Sequence, residues 1–194
     1  LGLHSELEEI LAHAGDASHF AAYSISQSYT QVQVPALIVG GWYDIFTNGV
    51  IQSFAALRAA GSTPAARQSK LLIGPWSHVN HTNTVGEVDF GFRAQLALMN
   101  LQLDMTALTQ RWFDYWLKGT PNGITDEPPV RLFVMGENAW RDEPAWPLAR
   151  APATPFYLHT SGTLSPDPPG DEPADTYTYD PADPTPTLGG NLLM

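Results

Sequence analysis

An α/β architecture, a parallel sheet with helices followed by a β-sandwich, is the fold this sequence predicts, on three observations. Apolar segments of strand length alternate with segments of helical periodicity as far as Gly119. Proline is then unevenly placed: only Pro35, Pro64 and Pro75 precede Gly119, whereas "DEPP", "SPDPPGDEP" and "DPADPTPT" follow it. The apolar runs beyond that point, "VRLFVMG", "PFYLH" and "TYTYD", are short, aromatic or alternating, and bounded by turn residues, the pattern of antiparallel strands. A boundary is therefore expected at Gly119-Thr120-Pro121-Asn122-Gly123.

Each element has its own signal. "SELEEILAHAG" sets Leu7, Ile10, Leu11 and Ala14 on one face, with Ser5 and Glu8 spaced as a capping box and Gly15 as a stop. Val34 to Val39 reads as a strand buried on both faces. Val50, Ile51, Phe54 and Leu57 then recur at helical spacing before Gly61. Lys70 to Ile73 is a second buried strand, and a long helical pattern from about Arg93 to Lys118 carries Leu96, Met99, Leu103, Phe113 and Leu117.

Composition restricts the function classes. The 194 residues are 43% hydrophobic, enough for a substantial core, and the net charge is −11, which opposes binding to nucleic-acid phosphates or anionic membranes. No apolar run has the length of a membrane span, and Leu1-Gly2-Leu3-His4 lacks the parts of a signal peptide. The absence of cysteine rules out disulfides and thiolate metal sites while leaving the compartment open. The first residue is not methionine, which suggests a start inside a longer chain.

The chemistry concentrates at two strand ends. In an open parallel sheet, ligands sit outside the carboxyl ends of the strands. Asp44 follows one such end in "GGWYDIF", and His78 follows the next in "GPWSH", 34 positions later, about one strand-helix-strand unit. A carboxylate there can accept Nδ1–H of the imidazole, fix its tautomer and stabilise the imidazolium formed when Nε2 takes a proton. Against this stand plainer readings, Asp44 as a turn former and His78 as a structural histidine. A metal reading also exists, since His78 and His81 are spaced i, i+3 and Asp44 could join them, but "HVNH" lacks the helical H-E-x-x-H frame. His4, His13, His19 and His159 show no partner by spacing. Trp42, Tyr43 and Trp76, beside the acid and the histidine, are packing residues first, with pocket lining a secondary role. No G-x-S-x-G nucleophile elbow occurs, and neither Ser77 nor Ser24, Ser26 and Ser28 has the flanking glycines of one.

At these residues the sequence resembles the CocE/NonD hydrolases, of the X-Pro dipeptidyl-peptidase type. The likeness is carried by "VPALIVGGWYDIF", "KLLIGPWSH", "WFDYWLKGT", "VRLFVMGENAWRDEPAWPL", "PFYLH" with "GTLS", and "YTYDPADPTPTLGG", in order from about Pro35 onward. The resemblance implies a partial α/β-hydrolase fold followed by an incomplete β jelly roll, with residues 1–28 the tail of a helical cap, 29–119 the hydrolase part and 120–194 the start of the jelly roll. It implies hydrolysis of a small-molecule ester or amide by a Ser-His-Asp triad, without a cofactor, in which Asp44 is the acid and His78 the base. The nucleophile half is missing and the chain stops at "GGNLLM", so a C-terminal fragment is expected, inactive alone and prone to self-association through a cut sheet edge. Family members preferring α-amino acyl groups carry acids just past the triad acid; Ile45 and Phe46 here imply an uncharged, apolar or aromatic acyl group, with Phe46 as a pocket wall. A non-catalytic binding module built on the sandwich half is the alternative.

Overall fold

A computed structural model describes residues 3–98, 104–186 and 189–193. Helices α1 (Leu3–Ala12) and α2 (Ala17–Ala21) lead into strand β1 (Leu37–Gly41), helix α3 (Thr47–Ala60) and strand β2 (Lys70–Gly74). A short hairpin, β3 (Thr84–Val85) with β4 (Val88–Asp89), precedes helix α4 (Met105–Lys118). Strands β5 (Val130–Val134) and β6 (Ala139–Glu143) follow, and β7 (Tyr157–His159) and β8 (Thr163–Ser165) form a separate ribbon.

The main sheet has the order β1-β2-β5-β6, with β1, β2 and β5 parallel and β6 antiparallel at one edge. Two apolar clusters cover its faces. Leu72, Trp76, Leu108, Trp112 and Ile124 meet on the α4 side, and Phe54, Leu71, Ile73, Val130 and Leu132 on the α3 side. Alternate residues of β2 thus feed opposite layers, as the two-residue period of a strand requires. All of β2 is buried. Among the described residues no helix is long and apolar enough to cross a membrane.

Several expectations are corrected. The first strand begins at Leu37, because Val34 is exposed and Pro35 has no N–H to give a ladder. Leu37, Ile38 and Val39 are only half-buried, since β1 is an edge strand rather than a doubly covered one. The helix expected from Arg93 starts at Met105, where the Asp104 carboxylate accepts the Ala107 N–H at 2.6 Å. Arg93 and Ala94 lie in a 3₁₀ turn whose carbonyls accept the indole N–H groups of Trp140 and Trp76, at 2.7 and 2.6 Å. Of the residues assigned to that helix, Met99 and Leu103 lie outside the described ones. Gly119 does end α4, in the left-handed conformation, with its N–H on the Tyr115 carbonyl.

The sheet also runs past the boundary expected at Gly119, since β5 pairs with β2. Beyond β6 the described residues show the β7–β8 ribbon alone in place of a sandwich, and "TYTYD" is not a strand. Leu7, Ile10 and Leu11 on α1 are exposed, so the apolar face is present but uncovered in this chain.

Buried charges tie β5 and β6 in place. Lys70 donates to the carbonyls of Glu127 and Pro128 at 2.9 and 3.1 Å; burial pulls its pKa down, opposed by the Glu127 carboxylate. Glu143, 2% exposed, is bracketed by Arg150 and Arg141, and Arg150 first among them holds its carboxyl below the usual range.

Two glycines test how closely the site's loops approach. A Cβ on Gly41 would lie 2.1 Å from the Trp76 carbonyl oxygen, a backbone atom that cannot step aside, whereas Gly49, in the first turn of α3, has nothing within 4 Å. Gly41→Ala is expected to cost about 3 kcal/mol or more, and Gly49→Ala to stabilise by roughly 0.5–1 kcal/mol, in urea denaturation. Equal effects at the two sites would contradict the packing described.

The ribbon carries a pH dependence. His159 Nδ1 lies 2.7 Å from Glu172, whose other oxygen accepts the Thr160 N–H at 2.9 Å. The Glu172 carboxylate and then the Asp167 carbonyl raise the His159 pKa above 6.5, and the Thr160 N–H and then His159 lower that of Glu172 below 4.5. The histidine's contribution is complete below 6.5 and lost as pH rises through its raised value; the glutamate's is complete above 4.5 and lost as pH falls through its lowered value. Protection of the Thr160 amide, corrected for intrinsic exchange, is therefore expected to be greatest between these limits and to decline toward alkaline pH. A profile flat through neutrality would refute the coupling.

Candidate active site

The pairing of β1 with β2 is in register, Gly40 opposite Ile73 and Gly41 opposite Gly74, so the two chains leave the sheet side by side. The ladder continues beyond the strands, Trp42 N–H donating to Gly74 C=O at 2.8 Å and Tyr43 N–H to Trp76 C=O at 2.9 Å. The chain after Tyr43 turns into α3, and this turn is fixed by Asp44 itself. Its Oδ1 accepts the Phe46 N–H at 2.8 Å, and its carbonyl accepts the Thr47 hydroxyl at 2.6 Å. The turn-forming reading of Asp44 and the site reading thus hold together.

The carboxylate, in a residue only 8% exposed, faces the imidazole of His78. Nδ1 lies 3.2 Å from Oδ1 and 3.3 Å from Oδ2. When the carboxylate accepts from a neutral imidazole, Nδ1–H is the donor and Nε2 carries no proton. Among the described residues Nε2 takes no partner, and the His78 side chain is 41% exposed. The Phe46 ring stands edge-on to the imidazole at 4.9 Å, on the open side of the site. A half-exposed imidazole with its inner nitrogen on a buried carboxylate can take a proton at Nε2 and have the resulting charge stabilised.

The other residues singled out from sequence fall elsewhere. Trp76 is fully buried in the layer with Leu72 and Trp112 and offers no surface to a ligand. Trp42 packs on Trp146 at 6.0 Å and donates its indole N–H to the Phe133 carbonyl, lining a groove with Val134 and Leu148 that is built from β5 and the segment after β6. Both are packing residues, and only Phe46 adjoins the pair. Ser77 is 1% exposed with its hydroxyl accepting the Asn80 N–H, a structural serine. His81 sits edge-on to Trp76, and among the described residues no group of three His, Cys, Asp or Glu is placed to hold a metal.

Three histidines do have partners that spacing missed. His13 and His19 stack at 3.9 Å, near Asp16 and Glu9 respectively, and His159 binds Glu172. The i, i+3 relation of His13 and Asp16 was the one local signal available. Sequence reasoning also missed Leu192, which hydrogen-bonds to both site loops through its main chain.

The X-Pro dipeptidyl-peptidase (S15 family) model matches residues 4–80, which hold both Asp44 and His78, and the model of the X-Pro dipeptidyl-peptidase C-terminal non-catalytic domain matches residues 122–192. Cocaine esterase of a Rhodococcus species is 37% identical over 197 residues, covering 97% of this chain and 33% of that protein. A Mycobacterium bovis protein named as a serine esterase is 34% identical over 146 residues, covering 72% of this chain and 20% of its own length. The chain thus spans a third or less of these relatives. Among solved structures, an aminopeptidase from a marine-sediment Thaumarchaeota archaeon superposes with a TM-score of 0.71 at 26% identity, over 94% of this chain and 29% of that one. By these matches, and by the residues that carry them, the chain belongs to the CocE/NonD, X-Pro dipeptidyl-peptidase (S15) family of hydrolases.

Proposed function

We propose that this chain supplies the acid and the base of a Ser-His-Asp triad in a serine hydrolase cleaving acyl esters or amides. The observation that carries the reading is the contact of His78 Nδ1 with the buried Asp44 carboxylate at adjoining carboxyl ends of two parallel strands. Asp44 holds the imidazole in the tautomer whose Nε2 is a base. That nitrogen takes the proton of a serine hydroxyl as the oxygen attacks the acyl carbon, and returns it to the leaving oxygen or nitrogen. The nucleophile elbow does not occur in these 194 residues, so the serine and the oxyanion-hole donors come from another part of the protein. The match over residues 122–192 supports reading residues 120–194 as the start of a C-terminal domain, which the resemblance makes a jelly roll.

The relatives' names span esterase and aminopeptidase, that is, ester and amide bonds. Ile45 and Phe46, the residues after the acid, are neutral and exposed, which suits an uncharged apolar or aromatic acyl group better than an α-ammonium. The exposed apolar face of α1 and the open edge of β1 are surfaces for the rest of such a protein or, in this chain alone, for a second copy.

The chain alone is expected neither to turn over p-nitrophenyl esters nor to react with a fluorophosphonate. Stoichiometric labelling of one of its serines, lost in His78→Ala, would overturn the proposal. In the longer protein, Asp44→Asn is expected to leave the fold intact and lower kcat by a factor on the order of 10⁴, the cost of the same change in a serine protease, because the amide no longer holds the required tautomer. His78→Ala should cost at least as much. Full activity in either variant would remove the pair from the mechanism.

A separate expectation concerns assembly. Sedimentation should show self-association of the isolated chain; a monomer at all concentrations would argue that the edge and the α1 face need no partner.

A further inference from the structure

Asp44 and His78 come from different loops, and one short segment near the end of the described chain binds both. The Leu192 N–H donates to Tyr43 C=O at 2.6 Å, the Leu192 C=O accepts the His78 N–H at 3.3 Å, and the Leu193 C=O accepts the Val79 N–H at 3.0 Å. Leu192 forms a parallel bridge with Asp44. Its half-buried side chain packs with Tyr43 on the cluster of Val85, Phe90, Ala94 and Phe133. Gly189 is in the left-handed conformation, and a Cβ built on it would lie 4.0 Å from the Tyr43 ring.

We propose that residues 189–193 form a strap that holds the acid and the base in register, with Leu192 as its positioning residue. This rests on the reading of Asp44 and His78 as a relay pair. The imidazole is held by little else: the Asp44 carboxylate at 3.2 and 3.3 Å, and the edge of Phe46. These distances are already at the long end for a nitrogen–oxygen hydrogen bond. A shift of the His78 main chain by a fraction of an ångström would break the contact. The two hydrogen bonds from residues 78 and 79 to the strap restrain that main chain, while the bond to Tyr43 fixes the strap to the loop of the acid. The apolar seat of Leu192 gives the strap its own anchor, independent of either loop's hydrogen bonds. Nothing in the strap touches a reacting atom; it acts through His78 and Asp44.

The test uses Leu192→Pro, which removes the N–H bound to Tyr43, beside Leu192→Met, which keeps the main-chain groups and an apolar side chain. Imidazole ¹⁵N shifts of His78 in the intact chain report its tautomer without any need for turnover. The unsubstituted chain and Leu192→Met are expected to show the Nδ1–H form, and Leu192→Pro to move toward Nε2–H, with amide protection at His78 and Val79 reduced at least about tenfold. Asp44→Asn should change the tautomer but leave those amides protected. In the longer protein Leu192→Pro should lower kcat about 10²-fold, as a slight misplacement of a catalytic group does, with KM little changed. If proline prevents folding, Leu192→Gly removes the apolar anchor alone and should give the same changes in smaller degree. An unaltered tautomer in a variant whose His78 and Val79 amides have lost protection would overturn the strap while leaving the relay pair standing. An Nε2–H imidazole in the unsubstituted chain would overturn the relay reading, and the strap's positioning role with it.

Discussion

The close approach of two main chains at the carboxyl ends of β1 and β2 is the constraint on which the site depends. Gly41 lies against the backbone of Trp76, and a Cβ on Gly74 would fall 2.4 Å from the Trp76 indole. Side chains at either position would force the strand exits apart, and with them the loops that carry Asp44 and His78. The glycines ending "LIVGG" and "KLLIG" therefore belong to the site although neither contributes a side chain to it. They let the ladder run on past the strands, Trp42 to Gly74 and Tyr43 to Trp76, so that the acid is positioned by hydrogen bonds to the neighbouring strand exit as well as by its own turn.

Trp76 shows how the same stretch serves packing and chemistry. Its ring is the largest fully buried side chain, lying between β2 and α4, and its indole N–H takes the Ala94 carbonyl. Its carbonyl meets Tyr43. Fully burying a side chain of this size contributes roughly 1.5–3 kcal/mol or more. That burial anchors residue 76, and two positions later the chain presents His78 half-exposed. A rigid support beneath a partly open histidine is what the role proposed for His78 requires, since a mobile imidazole would spend most of its time out of reach.

How much of this was legible in the sequence depends on how local each signal is. Asp44 and His78 were readable because an aliphatic run ending in glycine is a local pattern, and because the acid and the histidine each follow such a run by a few residues. The start of α4 was not, because the carbonyls of Arg93 and Ala94 are taken by Trp140 and Trp76, which lie 47 and 18 residues away. Nor was the passage of β5 into the first sheet, since "VRLFVMG" has the alternation of an antiparallel strand on its β6 side and no mark of the parallel partner on the other. Tryptophans beside a site acid look alike in sequence whether they line a pocket or a core. Here Trp76 went to the core and Trp42 to the groove shared with Trp146, and only Phe46 stayed beside the pair.

The strap bears on what a non-catalytic domain can do. Leu192 falls in the part of the chain matched by a domain of that description, yet its main chain is bonded to both loops of the pair. The two descriptions are compatible once chemistry is separated from geometry. A residue that never meets the substrate still sets the rate if the pair it holds works only within a few tenths of an ångström of one arrangement. A contact through backbone groups is also tolerant of sequence, because any residue but proline can make it, and only the apolar seat on Val85 and Phe90 asks for a side chain of a given kind. Coupling of this sort leaves little trace in residue patterns. It is found by following where each main-chain hydrogen bond of the site goes, and those of the Tyr43 carbonyl and of the His78 and Val79 N–H groups lead to the same two residues, Leu192 and Leu193.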